Sequence, residues 1–190
     1  EALAGENVET MLANHRDFRI LVATRVEVAR VNVLAATALG QRHRSGSPEP
    51  GLPFLIERNN ALRELHNGDT GVFALDESRD LRAWLPAISG APDAIRALAP
   101  HEIGDWQPAY AMTVHRAQGS EYDEVMVVLP SRINRVISRP WLYTAISRAR
   151  RRLFLLGGEA VLIEAMRRRE MRVSALAARL MEPAATISQG

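Results

Sequence analysis

Two short segments of this sequence combine polar, cationic and turn-forming residues at spacings that suit ligand chemistry. The first, AMTVHRAQGSEYD at residues 111–123, lies between two apolar stretches. A strand that ends in a polar turn presents side chains and backbone N–H groups at the carboxyl edge of a parallel sheet, where α/β proteins bind ligands. There Gly119 would let the backbone approach a ligand closely, and Glu121 would accept a hydrogen bond from a sugar hydroxyl. Thr113 and His115 suit phosphate or base contacts. An ordinary connection, with Gly119 serving only the turn, explains the segment equally well.

The second segment is WLYTAISRARRRL at residues 141–153. Its spacing predicts a helix over residues 139–149, with Arg148 near the helix end and off its apolar face. A fixed arginine at this place would reach the γ-phosphate of a nucleotide held by another domain and stabilise the charge of phosphoryl transfer. Alternatively, Arg148 and residues 150–152 only decorate a helix C-terminus, which the helix dipole favours. We prefer that alternative for residues 150–152, whereas for Arg148 the residues alone leave both readings open.

The basic residues are unusual in kind and in distribution. All 24 are arginine, which excludes a Schiff-base lysine and a complete P-loop with its phosphate-binding lysine. Residues 1–130 carry a net charge of −6, whereas residues 131–190 carry +8. A basic C-terminal third indicates a polyanion nearby, such as nucleic acid or nucleotide phosphates. A solvated basic helix is the alternative, and it is the better one for residues 167–169.

Several classes of protein are excluded or disfavoured by what the sequence lacks. With no cysteine there is neither a disulfide scaffold nor a cysteine-ligated zinc site, which suits a reducing compartment, and we expect the cytoplasm. No apolar run reaches the roughly 20 residues of a membrane span, so no membrane partner is expected. His15, His43, His66 and His101 are scattered and read as surface or capping residues. The carboxylates of residues 121–124 have no second cluster, and no metal site is expected.

Apolar patterning predicts the elements that position these segments. A strand over residues 19–23, a helix over 26–39 closed by Gly40, and strands over 111–114, 125–129 and 153–156 alternate as in a parallel α/β sheet covered by helices on both faces. The residues at helical spacing in the first helix are Val26, Ala29, Arg30, Val33, Leu34 and Thr37. Further helices are predicted over 6–15, 159–171 and 173–181. Residues 51–108 instead show short apolar stretches between turns, typical of a small β-barrel or meander inserted into its host. The predicted division is residues 1–50 and 109–190 for the α/β domain and 51–108 for the insertion.

The motifs together resemble those of the superfamily 1 DNA helicases, in the RecD branch that contains the alpha subunit of exodeoxyribonuclease V. TVHRAQGSEYDEVMVVLP at 113–130 is similar to that family's motif V, and WLYTAISRARRRL at 141–153 to its motif VI. ILVATRVEVARVN at 20–32 resembles the strand and helix around motif IV. GLPFLIERNNALRELHNGDTG at 51–71 resembles the start of the branch's SH3-like insertion. The resemblance implies a second RecA-like domain that closes over ATP and Mg²⁺ held mainly by a first one, and that moves 5′ to 3′ along single-stranded DNA.

The resemblance also implies roles for individual residues. Arg148 corresponds to the arginine finger of motif VI. Gly119 and Glu121 correspond to residues that face the phosphates and ribose of the nucleotide, with Gln118 between the nucleotide and the DNA. The positions that correspond to DNA-backbone contacts are Thr24, Arg25, Thr113 and His115.

The sequence departs from the family's pattern in places. Arg116 stands where lysine is usual after the motif V histidine, and Asn60 stands where an aspartate often closes the insertion's triplet. The P-loop and the acidic magnesium motif are absent, and the chain opens without methionine, so we expect a fragment that does not hydrolyse ATP alone. Expected partners are single-stranded DNA, the first RecA-like domain and the other exodeoxyribonuclease V subunits. The alternative is a non-catalytic module that binds DNA or docks a subunit.

Overall fold

The computed structural model describes residues 7–41, 47–88 and 94–169, which form a parallel sheet and an antiparallel sheet. The first part of the chain contains α1 (Val8–Asp17), β1 (Phe18–Val22) and α2 (Arg25–Ala38). Five strands follow: β2 (Pro53–Ile56), β3 (Thr70–Leu75), β4 (Leu81–Pro86), β5 (Ile95–Leu98) and β6 (Trp106–Pro108). The last part contains β7 (Ala111–Thr113), β8 (Tyr122–Val128), α3 (Arg139–Ile146), β9 (Ala149–Leu156) and α4 (Glu159–Arg167).

The parallel sheet has the strand order β7-β1-β8-β9. Val22 pairs with Thr113, and Leu21 pairs with Val127, so the carboxyl ends of β1, β7 and β8 lie at one edge. The α3 residues Trp141, Leu142 and Ala145 pack in one buried cluster with apolar side chains of these strands and of α4. This arrangement confirms the predicted α/β sheet, because apolar strands buried between helices are typical of parallel sheets.

The antiparallel sheet has the strand order β5-β4-β3-β2-β6, so β2 to β5 form a meander and β6 is added beside β2. Its core contains Phe54, Phe73 and Trp106, and the ring centroids of the first two lie 4.6 Å apart. Gly71 is required beside this cluster, because a Cβ there would lie 2.3 Å from the Trp84 carbonyl oxygen. The predicted meander is confirmed, whereas the SH3-like character and the domain boundaries remain predictions.

Helix α2 forms as predicted, but it buries a different face. Thr24 and Glu27 form a capping box at its start, and Gly40, with φ of +74°, follows its end. The buried residues are Val28, Asn32 and Ala36, whereas Val26, Val33 and Leu34 of the predicted apolar face are exposed. The prediction was wrong because the buried face contains a polar side chain, Asn32, which apolar patterning passes over.

The run of arginines at residues 150–152 lies in β9 and not at a helix end. Helix α3 stops at Ile146, and Ser147 caps it. From Ala149 onward the chain pairs with β8 in parallel register. This pairing gives hydrogen-bond partners to backbone groups of β8 that would be unpaired if α3 continued through these residues. Our preferred interpretation of residues 150–152 was therefore wrong. Pairing with a neighbouring strand outweighed the good helix propensity of arginine.

The remaining predictions concern a membrane span and residues that the structure does not describe. No helix in the described parts of the chain is long and apolar enough to cross a membrane. The helix predicted over 173–181 and His43 lie outside the described residues.

Candidate functional site

The polar segment between β7 and β8 connects opposite edges of the parallel sheet. Thr113 pairs with Val22 at the carboxyl end of β1, whereas Glu124, two residues after β8 begins, pairs with Phe18 at the amino end. Residues 114–121, here called the crossover segment, therefore run from the carboxyl edge to the amino edge. The sequence placed the whole polar turn at the carboxyl edge. That is correct for its beginning and wrong for its end.

The crossover segment is held by local turns and by two buried anchors. Val114 and Ala117 are buried, while the polar residues between and after them are exposed. The Arg116 and Ala117 N–H groups both donate to the Thr113 carbonyl oxygen, at 3.0 and 3.2 Å. Gly119 has φ of +87°, the left-handed conformation that glycine adopts without strain. The segment therefore has a fixed path with its polar side chains directed outward.

Arg148 lies at the amino edge, between α3 and β9, beside the end of the crossover segment. Its Nη1 donates to the Ser120 carbonyl oxygen at 2.9 Å, Nε to the Thr144 carbonyl oxygen at 3.2 Å, and Nη2 to Ser147 Oγ at 3.1 Å. A guanidinium has five N–H donors, so two remain for a ligand. All three acceptors are uncharged, and no ion pair involves Arg148 within residues 7–41, 47–88 and 94–169. The half-buried guanidinium is thus oriented without its charge being neutralised.

The other residues assigned to the nucleotide lie around Arg148. The Tyr122 N–H donates to the Arg148 carbonyl oxygen at 2.8 Å, which fixes the end of the crossover segment against the start of β9. The Glu121 carboxylate is exposed and lies 3.0 Å from Arg150 Nε. A Cβ at Gly119 would meet open space, so a substitution there would act through the backbone conformation alone. The exposed Gln118 lies partway along the crossover segment.

The residues assigned to DNA lie at the carboxyl edge, where a cleft of about 930 Å³ separates the two sheets. Arg25, Thr113 and His115 line one wall, and Thr24 immediately precedes Arg25. The opposite wall comes from the antiparallel sheet and its turns. The polar and charged residues that line the cleft, besides those three, are Asn32, Glu57, Arg58, Asn67, Gln107 and Arg116. The fold thus brings together residues from four distant parts of the sequence.

The cations of this cleft differ in how they are partnered. Arg58 Nε lies 3.2 Å from an Asp105 carboxylate oxygen, which offsets part of its charge. Arg116 donates a hydrogen bond to the Asn67 side-chain oxygen across the cleft. Neither Arg25 nor Arg116 has an ion pair among the residues that the structure describes. The cleft therefore presents exposed positive charge suited to a polyanion.

The two threonines assigned to DNA already hold local structure. Thr24 Oγ1 donates to Glu27 Oε2 at 2.9 Å and accepts from the Glu27 N–H, which caps α2. Thr113 Oγ1 accepts from the Arg116 N–H at 3.3 Å. The only hydroxyl hydrogen of Thr24 is thus committed to Glu27, whereas that of Thr113 has no partner among the described hydrogen bonds.

Asn32 is a site residue that the sequence analysis missed. Its side-chain nitrogen donates to the Pro108 carbonyl oxygen at 2.7 Å, and its oxygen accepts from the Ala111 N–H at 2.8 Å. These bonds tie α2 to both sides of the point where the antiparallel sheet ends and β7 begins. The only signal in the sequence was a polar residue at helical spacing between Val28 and Ala36.

A buried cationic cluster lies between α1, the start of β1 and Tyr122, and the sequence analysis missed it as well. Arg19 is 2% exposed, and its Nη1 lies 2.7 Å from the Ala109 carbonyl oxygen and 3.0 Å from His15 Nε2. The guanidinium carbon lies 5.1 Å from the centre of the Tyr122 ring, a cation–π contact. Burial, and after it the charge of Arg19, hold the pKa of His15 well below its usual range. His15 is thus a neutral, half-buried acceptor, and its interpretation as a surface or capping residue was wrong.

The carboxylates at the start of β8 are each paired with an arginine of β9. Arg150 contacts Glu121, Arg151 contacts Asp123, and Arg152 contacts Glu124. Within the described parts of the chain, no group of three or more His, Cys, Asp or Glu is arranged to hold a metal ion. Each of these carboxylates thus has part of its charge offset by an arginine.

The sequence has relatives among helicases. Residues 108–156, which include both polar segments, match the UvrD-like helicase C-terminal domain family. The chain is 40% identical over 130 residues to the RecBCD enzyme subunit RecD of Mycobacterium tuberculosis, covering 68% of this chain and 22% of that protein. It is 35% identical over 146 residues to the ATP-dependent RecD2 DNA helicase of Deinococcus radiodurans, covering 74% and 19%. The resemblance to the RecD helicases is confirmed.

The RecD relatives are much longer than this sequence, since the chain spans about a fifth of the length of the curated relatives it matches. Among solved structures, the Pif1 helicase from Candida albicans aligns with a TM-score of 0.53 at 14% identity, covering 85% of this chain and 49% of that one. At this identity the likeness concerns the fold alone. It supports the RecA-like arrangement of the parallel sheet.

Proposed function

We propose that this chain is the second RecA-like domain of an ATP-dependent 5′ to 3′ DNA helicase or translocase of the RecD type. It supplies an arginine finger to ATP and contacts to single-stranded DNA. The observation that carries the proposal is the position of Arg148, oriented by three uncharged acceptors, with two free N–H donors and no carboxylate partner in the described structure. A cation arranged in this way suits an anion that arrives from outside the domain.

In this mechanism ATP and Mg²⁺ are held mainly by the first RecA-like domain, and Arg148 meets the γ-phosphate when the two domains close. The guanidinium then stabilises negative charge that develops on the transferred phosphoryl group. Gly119 and Glu121 flank this position and would face the phosphates and the ribose. The contacts that orient Arg148 lower the entropy lost when it binds the phosphate.

The cleft at the carboxyl edge serves the DNA in this proposal. Arg25, Thr113 and His115 would contact the backbone of a single strand, with Thr24 beside them. Because aromatic residues make up only 5% of the sequence, backbone contact fits better than extensive base stacking. The crossover segment connects the two sites, and Gln118 lies on the path between them, where it would couple DNA binding to ATP hydrolysis.

The test is the Arg148→Ala substitution in the full-length protein. We expect ATP turnover in the presence of DNA to fall by about 10³-fold or more, the order measured for arginine fingers, while affinity for single-stranded DNA is unchanged. Arg151→Ala, a nearby exposed arginine of β9, is the matched control and should retain turnover. Unchanged ATP turnover in Arg148→Ala would contradict the helicase proposal and favour the non-catalytic module that binds DNA or docks a subunit.

The parent's setting is part of the proposal. Relatives in Mycobacterium tuberculosis and Mycolicibacterium smegmatis are RecBCD subunits, and on that ground we propose a complex with the other exodeoxyribonuclease V subunits. Copurification of those subunits with the full-length protein tests it, and a monodisperse helicase without them would contradict it.

A further inference from the structure

Arg150 makes a side-chain contact that the proposed mechanism does not yet use. Its Nε lies 3.0 Å from Glu121 Oε2, at the amino edge where Arg148 also lies. We propose that Arg150 is a positioning residue that orients the Glu121 carboxylate toward the ribose of the bound nucleotide. This inference rests on the proposed function, because it assumes that Glu121 faces the nucleotide.

An irregularity in the pairing of β8 and β9 makes this contact possible. Tyr122 pairs with Ala149 and Glu124 pairs with Arg152, so two residues of β9 lie opposite one residue of β8. An extra residue of this kind bends the strand and redirects its side chains. Here the bulge contains Arg150 and Arg151, and Arg150 reaches back to Glu121, which precedes β8.

The contact leaves the carboxylate able to bind a ligand. Arg150 donates to Oε2, and no described hydrogen bond involves Oε1 of Glu121. A carboxylate accepts about four hydrogen bonds, so a ribose hydroxyl can donate to Glu121 while Arg150 remains bound. Arg150 removes conformers of Glu121 that point away from the nucleotide.

The solvent exposure of the Arg150 and Glu121 side chains sets the expected effect of losing their contact. The side chains of Arg150 and Glu121 are 60% and 53% exposed, and exposed ion pairs contribute little free energy. Loss of Arg150 should therefore weaken nucleotide binding by about two- to five-fold and not abolish it. Because the contact acts on the ribose and not on the γ-phosphate, kcat should be nearly unchanged.

The next pair along β9 supplies the control. Arg151 Nη1 lies 3.4 Å from Asp123 Oδ2, also with an exposed arginine, and Asp123 lies within β8 and not in the crossover segment. Arg151→Ala removes the same charge one residue away without touching Glu121.

The experiment measures steady-state ATPase of the full-length protein at saturating single-stranded DNA, with ATP, 2′-deoxy-ATP and 3′-deoxy-ATP as substrates. We expect Arg150→Ala to raise the KM for ATP about two- to five-fold. In Arg150→Ala, the ratio of kcat/KM for ATP to kcat/KM for each deoxy analogue should be smaller than in the wild type. Arg151→Ala should behave as the wild type. Glu121→Ala should show a larger change of the same kind, and adding Arg150→Ala to it should have no further effect.

The outcomes distinguish the nucleotide role of Glu121 from the positioning role of Arg150. If Glu121→Ala leaves the preference between ATP and its deoxy analogues unchanged, the proposed nucleotide role of Glu121 is wrong. If Glu121→Ala narrows the preference but Arg150→Ala matches Arg151→Ala, or lowers kcat at constant KM, the positioning role alone is overturned.

Discussion

Positive charge is presented in different ways at the two edges of the parallel sheet that the crossover segment connects. At the amino edge, Arg148 is half-buried and held by three hydrogen bonds from its own domain. At the carboxyl edge, Arg25 and Arg116 are exposed on the walls of a wide cleft. A single oriented guanidinium suits one phosphate that must be met in a fixed geometry, whereas several exposed cations suit a long polyanion that moves. The two sites are nevertheless connected, because the crossover segment runs from one edge of the parallel sheet to the other.

The largest effect that we expect, after loss of Arg148, comes from the residue that anchors the cleft. Asn32→Ala leaves the Ala111 N–H and the Pro108 carbonyl oxygen without partners in a buried place. We expect the free energy of unfolding to fall by about 1–3 kcal/mol, measured by denaturant titration. DNA affinity should fall as well, while the KM for ATP stays the same.

The control is Leu34→Ala, an exposed residue of the same helix, which should change stability by less than about 0.5 kcal/mol. If Asn32→Ala raised the KM for ATP by the same factor as it lowered DNA affinity, the two edges of the sheet would not respond separately, contrary to this prediction.

A pH dependence should come from the buried cluster of His15 and Arg19 near the start of β1. The pKa of His15 is lowered in the folded state, so the unfolded chain binds a proton more readily below the ordinary pKa of about 6.5. The stability that neutral His15 provides is present above that pH and is lost as the pH falls. The expected slope approaches about 1.4 kcal/mol per pH unit below that range.

Denaturant titrations from pH 7.5 to 5 compare the wild type with His15→Gln, in which this contribution to the slope should disappear. Identical pH dependence in the two proteins would show that His15 takes up its proton freely in the fold.

The smallest effects should come from single cations of the cleft. Arg25→Ala and Arg116→Ala should each weaken single-stranded DNA binding a few-fold and reduce the slope of log affinity against log salt by about 0.7. Arg30→Ala, exposed on the same helix as Arg25 but not lining the cleft, is the control and should change neither. Fluorescence anisotropy at several salt concentrations measures the slope. A loss of ATP turnover at saturating DNA in either cleft variant would remove the distinction between the two ends.

Much of the fold could be predicted from local patterns. The strands β1, β7 and β8 and the helices α1 and α2 were predicted from apolar patterning and from Gly40, because these features depend on neighbours in the sequence. The strands β5 and β6 were not singled out, since each is short and contains polar residues. Their own sequences do not predict strands, and they become strands because β5 pairs with β4 and β6 pairs with β2.

The candidate site was predictable in its members more than in its arrangement. Motif resemblance pointed to Arg148, Gly119 and Glu121. The end of the crossover segment does lie beside Arg148, while the roles of these residues remain predictions. The role of Asn32 and the burial of Arg19 were not predictable, because each depends on backbone groups near residue 109 that are distant in sequence.

Local patterns in the sequence account for most helices and strands, for the turn at Gly119, and for the motifs that relate the chain to the RecD helicases. Contacts between distant segments place the end of the crossover segment at the amino edge, form the bulged edge strand at residues 150–152, and open the cleft between the two sheets. The physical reason is that strand register, burial of polar groups and charge pairing are settled between segments that are far apart in the chain. The sequence near a residue does not specify which distant backbone groups that residue will contact.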